Sequence, residues 1–336
     1  MHLLRRFAPA LLLLALLGAP WFTDQYLQYI LNLILVYAII GLGLNILLGY
    51  TGQFAFAHAA FMGIGAYAAA LLTTRVGLSY WISLPASGLI CVAIGVATAL
   101  PALRMKRVYL ALATLAFAEL TTWVFIHWKV VTLGTDGVEL KAPSLFGWSV
   151  RGDHRVYYVI LTTGALLYGL AGRIVRSRMG RAFVAVRESE IVAACNGIDV
   201  RQTKMIAFGL SAFYAGIGGA LFALALGFIV PDAFGVNQVA LHFSIVVIGG
   251  LASLPGTLIG AAIVTILPEA LRGLQGLQEI VYGVTLVVFV IFMPTGIAGI
   301  LKGFGLLPRE ILAPAERIPD PAVAAARPHP STEPAR

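Results

Sequence analysis

A short stretch of this sequence places polar residues inside a long apolar region. Residues 49–67 read GYTGQFAFAHAAFMGIGAY and include Thr51, Gly52, Gln53 and His58. Irregular polar backbone at membrane depth is tolerated only where protein buries it or where it lines a water-filled cavity. The stretch therefore predicts a broken helix beside a polar pathway. Close packing of helices through the small residues of the stretch is a second interpretation, and it accounts for part of the pattern.

Two ionisable side chains in apolar segments are candidates for chemistry. Glu119 follows the run YLALATLAFA, and a carboxylate at that depth is costly, so it is a functional candidate with a structural hydrogen bond as the alternative. His58 is a single histidine in an apolar span. A hydrogen bond to a neighbouring helix is the commoner outcome for such a residue, and contact with a transported molecule is the alternative.

A second interrupted segment lies in the other half of the chain. The apolar region 239–271 is cut by Gly249, Gly250 and a Pro-Gly pair within GGLASLPG. Transporters often contain paired broken helices whose substrate site lies between them. The sequence therefore predicts a pathway whose candidate residues are Thr51, Gly52, Gln53, His58, Glu119, Gly249 and Gly250.

The sequence gives no pattern typical of an enzyme. It contains no nucleophile set, no paired carboxylates at helical spacing and no His/Cys cluster with metal-ligand spacing. The phosphate-binding pattern G-x-x-x-x-G-K-[ST] is also absent. We therefore expect no catalytic residues, no metal and no cofactor in this chain.

The composition indicates elements that can place such residues within a bilayer. Of 336 residues, 60% are hydrophobic and 11% are charged, with a mean hydropathy of +0.91. Soluble domains have about 25% charged residues. Because the apolar runs are continuous and of spanning length, we predict an all-α polytopic membrane bundle of about 8–10 spans with two Gly-broken or re-entrant segments.

We predict the membrane spans from the length of the apolar runs and the loops from the positions of the charged residues. The region 239–271 is predicted to be either two short spans or a re-entrant hairpin. The other predicted spans are about 9–22, 27–48, a third ending near 70, 80–100, 109–128, 156–171, 205–229 and 280–300. Residues 1–307 would form the membrane domain and residues 308–336, rich in Pro and Ala, a disordered tail.

Positive charge in short loops sets the expected orientation. The net charge of +8 comes from Lys and Arg that gather in loops predicted to be cytoplasmic, so it does not indicate nucleic-acid binding. The first apolar run resembles a secretory signal peptide, but no clear cleavage site follows and an uncleaved span is preferred. Both termini are then predicted to be cytoplasmic.

The most basic loop, residues 173–204, contains an amphipathic helical pattern at positions 181–195. Ala182, Phe183, Val186, Ala193 and Ala194 can line one side, and Gly197 would end the helix. Such a helix could dock into a groove of a soluble partner. A solvated loop or a helix lying on the membrane surface is the alternative.

This loop resembles the ATPase-coupling loop of the branched-chain amino-acid permease family of ABC importers. The positions that match are Arg187, Glu188, Glu190, Ala193, Ala194 and Gly197. The Glu-Ala-Ala triplet of related loops is replaced here by Ile191, Val192 and Ala193. The stretches GLGLNILLGYTGQFAFAHAAFMGIGAYAAALL, YLALATLAFAEL, TLGTDGVEL and VIGGLASLPGTLIGAA also resemble family segments, from about 41 to 294. The chain length and the long outer loop are more similar to the M-type subunit than to the shorter H-type.

The resemblance implies a translocation subunit of an importer in the bacterial inner membrane. Its partners would be a second permease subunit in a heterodimer, two ATPase subunits that bind ATP and magnesium, and a periplasmic substrate-binding protein, with membrane lipid around it. Branched-chain amino acids are the expected cargo, and urea, short amides or aromatic acids are alternatives. An ion-driven secondary transporter, with Glu119 and His58 relaying protons, is a further alternative of another class.

Overall fold

The chain folds into a bundle of helices with very little strand. The computed structural model describes residues 16–21, 23–102, 105, 107–140, 144–145, 148–149, 153–270, 283–284, 287 and 296–303. The long helices are α1 (Gln25–Leu44), α2 (His58–Thr74), α3 (Tyr80–Ala102), α4 (Arg107–His127), α6 (Asp153–Arg176), α9 (Val200–Leu226), α10 (Val236–Gly249) and α11 (Leu254–Ala270). The shorter ones are α5 (Lys129–Thr132), α7 (Arg178–Glu188), α8 (Glu190–Cys195) and α12 (Gly296–Gly303). A π-helix, Asn45–Tyr50, continues α1 directly.

Within these described ranges, six helical stretches are long and apolar enough to cross a membrane, and α2 and α11 are shorter apolar helices. This confirms the all-α, polytopic membrane architecture that the composition predicts. Most of the predicted spans 9–22 and 280–300 and all of the tail 308–336 lie outside the described residues, and residues 16–21 are helical. The described part of region 239–271, residues 239–270, lies in two antiparallel helices, α10 and α11, and the turn between them.

Helices α1 and α9 form the buried centre of the bundle. Helix α9 packs against α1, α2 and α3, and glycine at the crossings lets the backbones approach closely. A Cβ at Gly219 would overlap the Met62 carbonyl oxygen of α2, and one at Gly65 would overlap the Gly216 carbonyl oxygen of α9. These contacts hold the start of α2, and therefore His58, against the middle of α9.

The bundle has two distinguishable ends. The end that carries α7 and α8 is called the loop end. The far end carries residues 128–140, which follow α4, and the start of α1. At the far end β1 (Val138–Glu139) pairs antiparallel with β4 (Phe228–Ile229), and β2 (Ser144–Leu145) pairs with β3 (Trp148–Ser149). Tyr26 donates a hydrogen bond to the Glu269 carboxylate there, so α11 ends beside the start of α1.

Gly219→Ala should lower stability because its Cβ would overlap backbone at the α9–α2 crossing, and overpacking of this kind costs about 1–3 kcal/mol. We expect thermal unfolding in detergent to shift down by several degrees. The matched control is Gly169→Ala on α6, where an added Cβ has open space and the unfolding temperature should stay constant or rise slightly. Equal behaviour of the two variants would contradict the close α9–α2 packing.

Candidate functional site

The first predicted break lies at the loop end of α1. The π-helix ends at Tyr50, residues 51–57 are not helical, and α2 begins at His58. Thr51 is buried and its hydroxyl donates to the Ile46 carbonyl (2.9 Å), while the Gln53 amide N–H donates to the Leu47 carbonyl (3.1 Å). Gly52 has a φ of +70°, which turns the chain back into the bundle. The side-chain Nε2 of the buried Gln53 has no hydrogen-bond partner among the described residues.

The second predicted break joins α10 to α11 through residues 250–253. Gly249 packs directly on Gly256 across the hairpin, and Gly250 has a φ of +112°. Gly296, at the start of α12, lies against Gly250, so three helices meet at this turn. The turn is level with the end of the π-helix, because a Cβ at Gly49 would lie 2.5 Å from the Ala252 nitrogen. The hairpin therefore reaches the loop end of the bundle, which favours two short spans.

One side chain, Asn45, joins the two breaks. Its Nδ2 donates to the Ser253 carbonyl (3.0 Å) and to Thr257 Oγ1 (2.7 Å), and its Oδ1 accepts from the Ala252 N–H (2.8 Å). All of these groups are buried, so the carboxamide replaces hydrogen bonds that the interrupted helix lacks. The sequence analysis missed Asn45, although an Asn in the apolar run GLGLNILLGY is a signal that could have found it.

His58 belongs to a polar group in the buried centre of the bundle. Its Nε2 lies 2.6 Å from Ser211 Oγ of α9, which agrees with the commoner interpretation, a hydrogen bond to a neighbouring helix. One turn further along α2, Met62 Sδ accepts from Gln238 Nε2 (3.7 Å), and that amide lies 3.2 Å from His242 Nε2 on α10. The ring Nδ1 atoms of both histidines have no described partner. Sequence reasoning missed Gln238 and His242.

The basic loop forms two helices rather than the single amphipathic helix expected over 181–195. Ser189 is extended (φ −160°, ψ 117°), and its hydroxyl accepts from the Val192 N–H as the cap of α8. Along the expected apolar side, Phe183, Val186 and Ala193 are buried. Ala194 is exposed, because the interruption at Ser189 changes the helical register.

The outer side of α8 is apolar and exposed. Ile191 is 78% exposed and Val192 is 59% exposed. Glu188 and Glu190 are exposed beside them, and Glu190 also pairs with Lys204 Nζ (2.7 Å), which fixes α8 to the start of α9. Gly197 follows α8 with a φ of +78° and lies exposed. Two exposed aliphatic side chains on a short, anchored helix form a surface that a protein partner can cover.

Arg187 connects this loop to the first break. Its Nη1 donates to the Gly49 carbonyl (2.6 Å). Its aliphatic stem packs on Gly52, because a Cβ added to this glycine would lie only 3.0 Å from Arg187 Cγ. Gly49 in turn lies against Ala252 of the second break. A continuous line of contacts therefore runs from α7 through the first break to the second.

Glu119 is not part of this arrangement. It lies on the exposed side of α4, and its carboxylate has no hydrogen bond or ion pair with another described residue. His58 is buried and bonded to Ser211, so no hydrogen-bonded relay joins it to Glu119 in the described part of the chain. In the same part of the chain, no group of three or more His, Cys, Asp or Glu side chains could hold a metal ion.

Asn45→Leu should destabilise the protein, because it leaves the buried Ala252 N–H without its acceptor, which costs about 1–3 kcal/mol. We expect a lower unfolding temperature and faster hydrogen exchange at residues 250–253. Thr265→Val is the control, since among the described residues the Thr265 hydroxyl bonds only to the Ala261 carbonyl within α11. Unchanged exchange at the turn in Asn45→Leu would show that the carboxamide does not hold the second break.

Comparison with known proteins identifies the family of this chain. Residues 26–293 match the family model described as branched-chain amino acid transport system / permease component. No solved structure matches the chain.

Individual relatives agree with the family model. The permease protein LivM of a high-affinity branched-chain amino acid transport system, from Escherichia coli K12, is 31% identical over 87% of this chain and 74% of its own length. BraD from Pseudomonas aeruginosa, with the same description, is 28% identical over 82% of this chain and 96% of its own. LivH from Escherichia coli K12 is 27% identical over 78% of this chain and 91% of its own. The chain is therefore a LivM-like member of the branched-chain amino-acid transport permease family.

Proposed function

We propose that this chain is the translocation subunit of an ATP-driven importer for branched-chain amino acids. It would assemble with a second, related permease, two ATPase subunits and a periplasmic substrate-binding protein. ATP and magnesium would bind to the ATPase subunits, and this chain would hold no cofactor. Membership of a permease family and the names of the relatives support this proposal.

The observation that carries the proposal is the anchored loop 173–204. Its exposed Ile191 and Val192 would dock on an ATPase subunit, and Arg187, Glu188, Glu190, Ala193, Ala194 and Gly197 would form the coupling segment. Because Arg187 contacts Gly49 and Gly52, movement of the loop would be passed to the first break, and through Gly49 to the second. An ion-driven carrier has no need of such a connection.

The two breaks would respond to this movement. Thr51, Gly52, Gly249 and Gly250 would act as hinges of the pathway rather than as direct ligands, because the Thr51 hydroxyl bonds to the Ile46 carbonyl and the glycines pack on neighbouring groups of this chain. Gln53 would also belong to the hinge through its backbone N–H, and its side-chain Nε2, which has no described hydrogen-bond partner, would be open to the pathway. His58 would stabilise the core next to the pathway through Ser211. The loop end would face the cytoplasm of a bacterial inner membrane, as the basic loop 173–204 favours.

Uptake by the reconstituted importer tests the proposal. Proteoliposomes would contain this chain with the second permease and ATPase subunits that co-purify with it, and the binding protein would be added outside. We expect ATP-dependent uptake of labelled leucine, isoleucine and valine that a protonophore leaves unchanged, with urea and phenylalanine competing weakly. Uptake that persists without ATP and collapses with the protonophore would contradict the importer proposal.

Arg187→Met should uncouple the importer, because it removes the hydrogen bond to Gly49 while keeping a side chain of similar length. We expect ATPase subunits still to bind and uptake to fall about tenfold, which corresponds to about 1.4 kcal/mol. Arg181→Met is the matched control: Arg181 is exposed on the same helix, and its side chain has no described hydrogen bond. Equal uptake by the two variants would contradict coupling through Arg187.

A further inference from the structure

One carboxylate in the described spans faces outward at mid-depth. Glu119 lies about 18 Å from the start of α4 and about 12 Å from its end, at a rise of 1.5 Å per residue. The rotation of α4 is fixed on its inner side: the Phe56 N–H donates to Thr114 Oγ1 (2.9 Å), and Thr122 Oγ1 donates to the Phe234 carbonyl (3.4 Å). Glu119 is therefore held away from the core of this chain.

Lipid is a poor cover for this position. An ionisable side chain within the hydrocarbon region is rare and normally faces the interior of a bundle or a water-filled cavity. The exposed residues around Glu119 are apolar: Leu112, Ala116, Leu120 and Trp123 lie on the same side of α4. This arrangement suits contact with another membrane-embedded protein chain. That chain would pack on the apolar rim and leave water around the carboxylate at the centre of the contact.

The non-helical segment 51–57, which lies beside α4, provides an independent reason. The Phe56 N–H bonds to Thr114 of α4, and the Phe56 ring packs on Phe243 of α10 (ring centroids 5.7 Å apart). Phe56 therefore lies at the seam between these two helices. Phe54, two residues earlier in the same non-helical segment, is 40% exposed. Non-helical backbone at membrane depth does not face lipid. The same seam therefore carries two features that lipid does not cover.

Helix α10 completes this surface. Val236, Asn237 and Ala240 are exposed on it, and Val239 is buried in a small apolar cluster with Ala118 of α4 and with Ala59 and Ala60 of α2. We name the exposed surface of Phe54, Leu112, Glu119, Leu120, Trp123 and Ala240 the α4–α10 face. Helix α6 differs: its exposed mid-span residues, such as Leu166, are apolar or small, and its exposed Thr162 bonds to its own backbone. That surface suits lipid.

We propose that the α4–α10 face binds the second permease chain of the importer, and that Glu119 faces a water-filled route between the two chains. The proposal rests on the proposed function. The partner is a related permease rather than another copy, because Escherichia coli K12 has two distinct relatives of this chain, LivM and LivH, each described as a permease protein of the transport system.

Photocrosslinking tests the partner. The photoreactive residue p-benzoylphenylalanine would replace Leu120 (59% exposed) or, as the control, Leu166 on α6 (68% exposed) in membranes that contain the complete importer. We expect the probe at 120, and not at 166, to form an adduct that mass spectrometry identifies as a permease chain of this family other than this one. No adduct at 120, or an adduct only with a second copy of this chain, would overturn the proposal.

Thiol labelling tests the water-filled route. In a Cys195→Ser background, where the remaining Cys91 is buried, Glu119→Cys and Leu166→Cys would be exposed to a membrane-impermeant maleimide. We expect Glu119→Cys to react at least about tenfold faster, and equal rates would overturn the route. Uptake is measured in the same membranes. If the unsubstituted importer shows no ATP-dependent uptake, the proposed function is contradicted. If uptake is normal but the probe at 120 forms no crosslink, only the assignment of the α4–α10 face is contradicted.

Discussion

The fold depends on the rule that no backbone polar group may remain unpaired within a bilayer. Two helices of this chain are interrupted, and each interruption frees N–H and carbonyl groups that a helix would satisfy. At the first break, the Gln53 backbone N–H bonds to the Leu47 carbonyl and Arg187 bonds to the Gly49 carbonyl. Asn45 meets the requirement at the second break: it lies on the π-helix that precedes the first break and bonds to three groups of the second hairpin. The two breaks are therefore one structural unit rather than two separate features.

This unit explains how a loop at the surface can act on the interior. Arg187 binds the Gly49 carbonyl, and Gly49 lies against Ala252, so in the proposed importer a displacement of α7 would reach both breaks within two contacts. The connection is short because glycine at 49 and 52 allows a side chain and a neighbouring turn to approach the backbone directly. The buried centre, by contrast, is held by glycine crossings between α9 and its neighbours, which makes it the rigid part against which the breaks would move.

Glu119 differs from the other polar residues discussed because it lies on the outside of the bundle. Glu119 has no described partner within this chain, and in the proposed importer the second permease chain would cover it. His58 and Glu119 look alike in sequence, as isolated ionisable residues in apolar runs. Their surroundings separate them: His58 is bonded to Ser211 within the core, and Glu119 has no described partner in its own chain.

The sequence by itself determined the membrane architecture, the positions of most helices, the two breaks and the coupling-loop resemblance, because apolar length, glycine placement and positive charge are local properties. Only the tertiary structure decided which residues meet. Asn45 reaches across about 207 residues to Ala252, and Arg187 reaches 138 residues back to Gly49. Ser189 interrupts a helix that its periodicity favours, because its hydroxyl caps α8. Such contacts depend on the angles at which helices cross and on which side of each helix faces its neighbour. For a helix that is apolar on all sides, the sequence pattern does not indicate which side faces inward.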